Sequence, residues 1–444
     1  MTAEKKLWEL YQQSAADNDI LAKLYQSHDV KRGLRNQDGS GIVFTLTRIC
    51  DVVGSLTKNG IRTEVPGELH YRGIDIKDLA ANASFKPGTF EEVCFLLLFG
   101  KLPTMQEYQD FTAYLRQNYL LPAGFTTNGL VEKPTSNIMN TIQRTILRLY
   151  QYDDDPDSVA IEHTLLRGLS LLAQMPGIIT IAYQEAVNDQ PSYTYKPAVN
   201  HTIAENILSH VRLDNNFSIE EAELLDILMA IQADHGSGNN STFANIVVSS
   251  SGTDLYSALT AAVGSLKGPR HGGANEKVRA MMNEAAETLG LEPSDEQLEV
   301  YIAKLINKTA FDKTGLIYGI GHAVYTISDP RAEILCAYCE KFAKDTEHEK
   351  KFMFYRRFEE TALAYIKALK QRSFCINVDF YSGLACEMLG LPNELYLPIF
   401  TTSRVAGWLA HNLENKLYND KIVRPTAKFI GVQQKYIKVE DRKQ

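Results

Sequence analysis

Apolar residues recur at i, i+3, i+4 and i+7 through most long segments of this 444-residue chain, the repeat that lines one face of an α-helix. The repeat predicts helices over 90–99, 104–119, 135–151, 219–233, 254–266 and 274–289. It continues over 295–308, 330–344, 350–370, 382–389 and 403–418. Punctuation agrees with these spans. Ser218-Ile-Glu-Glu221 and Ser294-Asp-Glu-Gln297 read as capping boxes, and Asp329-Pro330 reads as an N-cap with Pro at the first helical position. Gly100, Gly290 and Gly390 follow helices as C-terminal caps. Strand signals are few: IVFTLTRI at 42–49 alternates, and ELHYRG at 68–73 offers a short partner. The first 26 residues read as one charged amphipathic helix. No internal repeat or Gly/Ser linker occurs, and 186–200 is the clearest long loop. The predicted fold class is all-α.

Composition narrows the function. Apolar residues are 44% and charged residues 23% of the chain, ordinary globular usage. The net charge of −8 leaves no domain-scale basic surface, so neither nucleic acid nor an anionic membrane is an expected partner. A few Arg and His in a cleft can still reverse the local field for a small anion. The six cysteines are too sparse for a disulfide scaffold and point to a reduced compartment. Cys336-x-x-Cys339 lies inside a helical stretch with no second Cys/His pair nearby, so it reads as core. Neither a signal core, a transit-peptide composition nor a run of 18 apolar residues is present. The expectation is a soluble, cytoplasmic protein.

Three segments break the helical pattern, and each sets a histidine at a glycine-rich helix junction. His235 stands in Asp-His-Gly-Ser-Gly, His271 in Gly-Pro-Arg-His-Gly-Gly and His322 in Gly-Ile-Gly-His. Imidazole suits proton transfer near neutral pH. Zinc is the rival use of three histidines, but no two lie on one helical face at ligand spacing, so no metal is expected. Asp379, in Asn-Val-Asp-Phe-Tyr-Ser-Gly, reads as the cap of the following helix, held ionised by the positive helix end and available as a weakened base. Arg331, Arg404 and Arg424 lie beside turn motifs, where guanidinium forks can clamp carboxylates.

The segments DHGSGNNSTF, LKGPRHGGANEKV, GIGHAVYTISDPR, NVDFYSG, TTSRVAGW and VRPTA, in this order, resemble the citrate synthase family. TRICDVVGS at 47–55 and LHYRGIDIKDLA at 69–80 resemble the entry to that family's large domain. The resemblance spans roughly 40–432. It implies a two-domain helical enzyme: a large domain from 1–276 and 379–444 on the oxaloacetate side, and a smaller inserted domain at 277–378 on the CoA side. It also implies a homodimer or a higher homo-oligomer.

The resemblance further implies that His271 is a general acid, that His322 polarises the oxaloacetate ketone, and that Asp379 takes a proton from the acetyl methyl group. His235, Arg331 and Arg404 would hold the oxaloacetate carboxylates, with Arg424 reaching in from the partner subunit. Asn239 and Ser241 would orient His271. CoA would meet Leu316, Ile317, Gly319 and Gly321, with Arg372 at a phosphate and Lys267, Arg270, Lys308 and Lys313 as alternatives. No resident cofactor is implied; acetyl-CoA is a co-substrate. The sequence departs from many relatives at Ala323 and Thr326, where Arg and Lys are frequent, and at Gly236, where Glu often follows the Asp-His pair. Two alternatives stand beside citrate formation: 2-methylcitrate synthesis from propionyl-CoA, and a non-catalytic regulator that binds CoA or a dicarboxylate.

Overall fold

The structure is a computed structural model describing residues 2–17, 19–36, 38–59, 61–83, 88–126, 129–131, 135–187, 194–212, 216–419 and 421–442. Its contacts divide the chain into two compact units, one of 1–46 with 423–444 and one of 47–422. In the smaller unit, α1 (Ala3–Asp17) and α2 (Ala22–Ser27) replace the single helix expected over the first 26 residues. Leu21 is extended between them, which breaks the repeat. Leu7, Trp8, Leu10 and Tyr11 of α1 are exposed.

The larger unit opens with a hairpin of β1 (Cys50–Lys58) and β2 (Ile61–Tyr71), to which the two-residue β3 (Ile74–Asp75) adds. The strand expected at 42–49 is therefore displaced; the alternating stretch precedes the sheet, and the stretch at 68–73 is the end of β2. Next come α3 (Ile76–Ala81), α4 (Thr89–Phe99), α5 (Met105–Gln117), α6 (Ile138–Leu149), α7 (Ile161–Val187) and α8 (Ile203–Arg212). They are followed by α9 (Ile219–Gln232), α10 (Asn240–Ser249), α11 (Leu255–Leu266) and α12 (Ala274–Leu289). The chain continues through α13 (Asp295–Ile306), α14 (Pro330–Ala343), α15 (Glu349–Lys370), α16 (Asp379–Met388) and α17 (Tyr396–Tyr418). The helical fold class matches the expectation.

Helix ends form where their chemistry directs. The Ser218 and Ser294 capping boxes are complete, Asp329 caps α14, and Gly100 ends α4 in the left-handed conformation. Four helices, the short α3 and then α7, α8 and α10, escaped the sequence pattern. α7 is apolar on nearly every side and carries Pro176; it is long and apolar enough to cross a membrane, yet its apolar window is 72% buried in the fold. α8 and α10 are short, and α10 mixes polar with β-branched residues. α17 begins at Tyr396 rather than 403 and is buried over most of its length, packed by α4, α7, α9, α10 and α11. α12 and α14 pack on α16, α15 meets it through the Phe352, Tyr355 and Phe358 rings, and α13 packs on α15. The expected domain boundaries fall three residues into α12 and at the first residue of α16. Of the expected loop at 186–200, residues 188–193 lie outside the described ones.

Candidate active site

α17 supplies the base of the site through one stripe at i, i+4 and i+7. Arg404, Trp408 and His411 are each no more than 1% exposed. Arg404 Nε donates to the Gln232 carbonyl at 2.7 Å, at the end of α9, and its guanidinium lies over the Phe400 ring at 4.7 Å. Trp408 Nε1 donates to Ser241 Oγ at 3.2 Å. His411 Nε2 meets Asp234 Oδ2 at 3.0 Å. Burial alone would raise the Asp234 carboxyl, but His411, Arg404 and the Gly236 amide hold it down at about 2. This anchored carboxylate fixes the turn that carries His235, with Gly236 N–H donating to Oδ2 at 3.1 Å.

His235 and His322 meet edge to face with ring centroids 5.2 Å apart. His322 stacks on Tyr325 at 4.7 Å. The amides of Val324 and Tyr325 both donate to His322 Nδ1, at 3.0 and 3.1 Å. A nitrogen that accepts two N–H groups carries no proton, so neutral His322 holds its proton on Nε2 and can donate there. Burial lowers His235 well below the ordinary imidazole range, and the charges of Arg331 and Arg404 add to the effect. Its Nε2 is buried without a partner among the described residues.

His271 Nε2 lies 3.1 Å from Ser241 Oγ, and Ser241 Oγ lies 2.9 Å from Asn239 Oδ1. Asn239 also caps α10, so Asn239, Ser241 and His271 stand in one continuous chain, with only Ser241 against the ring. Burial, helped by Arg404, pushes His271 down to about 4. The ring is neutral at physiological pH.

Arg331 and Asp379 are joined through Asp329. The buried Asp329 carboxylate accepts from Arg331 Nε at 3.1 Å, Arg331 Nη2 at 2.8 Å and Val378 N–H at 3.2 Å. Asn377, rather than Asp379, acts as the cap: its Oδ1 accepts the Asp379 amide at 3.0 Å, while its Nδ2 donates to the Gly321 carbonyl at 2.9 Å. Asp379 stands in the first turn of α16. The helix end does not hold it low. Burial pushes its carboxyl up to about 6, with Arg331 and Arg404 pulling down and Asp329 pushing up. The bridge Ile320–Ile376 and the bond from Gly321 N–H to the Cys375 carbonyl at 2.8 Å tie the His322 loop to the Asp379 loop.

The remaining expected residues are less concentrated. Leu316 is 57% exposed and Ile317 is buried. Gly319 has positive φ, and a Cβ there would stand 2.8 Å from the Phe380 ring. Arg372 is exposed with its guanidinium over Phe374 at 4.5 Å. Arg424 is exposed and belongs to the smaller unit. Sequence reasoning missed Gln232, Tyr325, Asn377, Trp408 and His411 as supports, and it missed the Asp329 link to the Asp379 loop. The i, i+4, i+7 spacing from Arg404 was a readable signal for two of them. Among the described residues no group of three or more His, Cys, Asp or Glu could hold a metal, and all six cysteines are free.

The family model described as "Citrate synthase, C-terminal domain" matches residues 38–426. The chain belongs to the citrate synthase family. It is 32% identical over 406 residues to the citrate synthase of Deinococcus radiodurans, covering 90% of this chain and 97% of that one. It is 31% identical over 379 residues to 2-methylcitrate synthase 1 of Corynebacterium glutamicum, covering 83% and 91%. Among solved structures it is similar to the citrate synthase of Thermoplasma acidophilum in ternary complex with carboxymethyl coenzyme A and oxaloacetate. That likeness has a TM-score of 0.75 and 25% identity, and covers 93% of this chain and 99% of that one. Membership of the citrate synthase family makes the chain an enzyme of the acyltransferase class.

Proposed function

We propose that the protein condenses oxaloacetate with acetyl-CoA to give citrate and CoA. One observation carries this reading: Arg404 Nη1, Arg404 Nη2 and His235 Nε2 are all buried without a partner among the described residues. Unmet buried donors are costly, and a dicarboxylate brings the acceptors they lack. Arg331 completes the clamp, and Arg424 of a second copy is assigned to it as well.

In this reaction the Asp379 carboxylate takes a proton from the acetyl methyl group while His271 donates to the thioester oxygen, because the methyl proton leaves readily only as charge on that oxygen is met. Ser241 Oγ, which accepts from Trp408 and donates to Asn239 Oδ1, lies against His271 Nε2 and fixes the ring in place. His322 Nε2–H donates to the ketone oxygen, and the enol carbon attacks the ketone carbon. Water then cleaves the citryl thioester and CoA leaves. CoA lies along Leu316, Ile317, Gly319 and Gly321, beside a groove of about 900 Å³ lined in part by Lys267, Arg270, Lys277 and Tyr318. Residues 277–378 form the smaller domain that closes on it. The working form is a cytoplasmic homodimer, a reading supported by the exposed apolar side chains of α1 and by the free thiols.

The test is thiol release from acetyl-CoA in the presence of oxaloacetate, with propionyl-CoA in a parallel arm. Release that requires oxaloacetate supports the reading. A clear preference for propionyl-CoA moves it to 2-methylcitrate, and no release with either thioester removes it.

A further inference from the structure

The β1–β2 hairpin is irregular at one place. Val53 pairs with Glu68 and Ser55 with Glu64, so Gly54 faces the three unpaired residues Val65, Pro66 and Gly67. Bulged stretches re-aim chain near functional sites, and a strand glycine often marks close approach of another backbone. Both glycines show such approach. A Cβ on Gly54 would stand 2.4 Å from the Val324 carbonyl oxygen, and one on Gly67 would stand 2.1 Å from the Ser328 carbonyl oxygen and 2.7 Å from the Tyr325 ring. The hairpin also grips this loop with hydrogen bonds: Gly67 N–H donates to Ser328 Oγ at 3.2 Å, and Tyr325 Oη donates to the Glu68 carbonyl at 3.2 Å.

The gripped loop is the one that sets His322. Its Val324 and Tyr325 amides fix the unprotonated Nδ1, and the Tyr325 ring fixes the imidazole plane. The geometry points to the irregular hairpin stretch, Gly54 and Gly67 above all, as the element that positions His322 for polarising the ketone. These are positioning residues, since neither touches the reacting atoms. The inference rests on the reading of His322 given above. If the loop moves by even part of an ångström, the two amides lose Nδ1, and the ring is free to carry its proton on the wrong nitrogen.

The experiment compares the full chain with Gly67→Ala, Gly54→Ala and the gentler Tyr325→Phe, which removes only the tether to Glu68. For each variant, thiol release, oxaloacetate affinity, the infrared stretch of the bound ketone and the thermal midpoint are measured. The glycine variants are expected to lose turnover by roughly 10- to 100-fold, while oxaloacetate affinity changes far less. Their ketone stretch is expected to move back toward the value for free oxaloacetate, and Tyr325→Phe should show a smaller change of the same sign. A merely structural role leaves the stretch of every folded variant at the wild-type value, and that result overturns the inference. If the glycine variants do not fold, Tyr325→Phe decides. A wild-type protein that binds oxaloacetate without shifting its stretch defeats instead the assignment of His322 itself.

Discussion

Arg331 and Arg404 enter the same cluster, and both are buried, but they are met in opposite ways. Arg331 is held at Nε and Nη2 by Asp329, whose carboxylate also accepts the amide in front of Asp379. Arg404 is held at Nε alone, and its two terminal nitrogens face no acceptor among the described residues. A buried polar group without a partner costs roughly 1–3 kcal/mol, and a charged one more. The fold carries that cost at Arg404 and avoids it at Arg331. The difference separates two states of readiness: Arg331 comes to the clamp already fixed by Asp329 and holds loops in register as well, while Arg404 keeps both terminal nitrogens for a ligand.

The comparison breaks first at Asp379. Asp379→Ala should lower turnover by about 10²- to 10⁴-fold and leave oxaloacetate affinity nearly intact, because the unmet donors lie elsewhere. Thiol release and calorimetric titration check both halves; equal turnover would remove Asp379 from the chemistry. In the wild type, turnover should fall as pH drops through about 6, where the raised carboxyl takes up its proton. The same shift sets a sign for stability. The folded state binds this proton more tightly than the unfolded chain, whose carboxyl titrates near 3.8, so the ionised group lowers stability by roughly 3 kcal/mol above pH 6. Below about pH 4 that penalty is gone. Asp379→Asn should therefore melt higher than wild type at pH 8 and equally at pH 4; a lower midpoint at pH 8 would contradict the buried placement.

Next in size is the contrast between the arginines themselves. Arg404→Met should weaken oxaloacetate binding by about 100-fold with the ligand-free thermal midpoint unchanged or raised, since a poorly met buried charge is removed. Arg331→Met strands the Asp329 carboxylate in the interior and should cost about 3–5 kcal/mol of stability. Thermal scans without ligand separate the two. Equal losses in both variants would mean that the arginines are not in different states.

The same division explains how much of the fold and the site is legible in the sequence. Helices with one apolar stripe, such as α5 and α6, declare themselves by period. α7 does not, because it is buried on nearly all sides and so has no polar face to set a phase. The hairpin was misplaced because alternation needs one wet face, and β1 is broken at Gly54 by its approach to the Val324 backbone. The histidines were legible because local turn chemistry surrounds each of them. The helical spacing from Arg404 places Trp408 and His411 on one face but does not say what they meet: Asp234 and His411 lie 177 positions apart, and Ser241 and Trp408 lie 167 apart. Partnerships at that range are written in packing, which no local pattern reports.

The smallest expected effect sharpens the satisfied side of the comparison. Ser241 Oγ accepts from Trp408, contacts Asn239 and meets His271, so Ser241→Ala removes one hydrogen bond from a ring that burial already keeps neutral. A neutral hydrogen bond contributes about 1 kcal/mol, and a fall in turnover of about 5- to 10-fold is expected, with oxaloacetate affinity unchanged. The acid limb near pH 6 should stay in place, because it belongs to Asp379 and not to His271. Loss of oxaloacetate affinity in Ser241→Ala would instead place Ser241 on the unmet, ligand-binding side with Arg404. Turnover equal to wild type would show that packing around Trp408 suffices to hold His271.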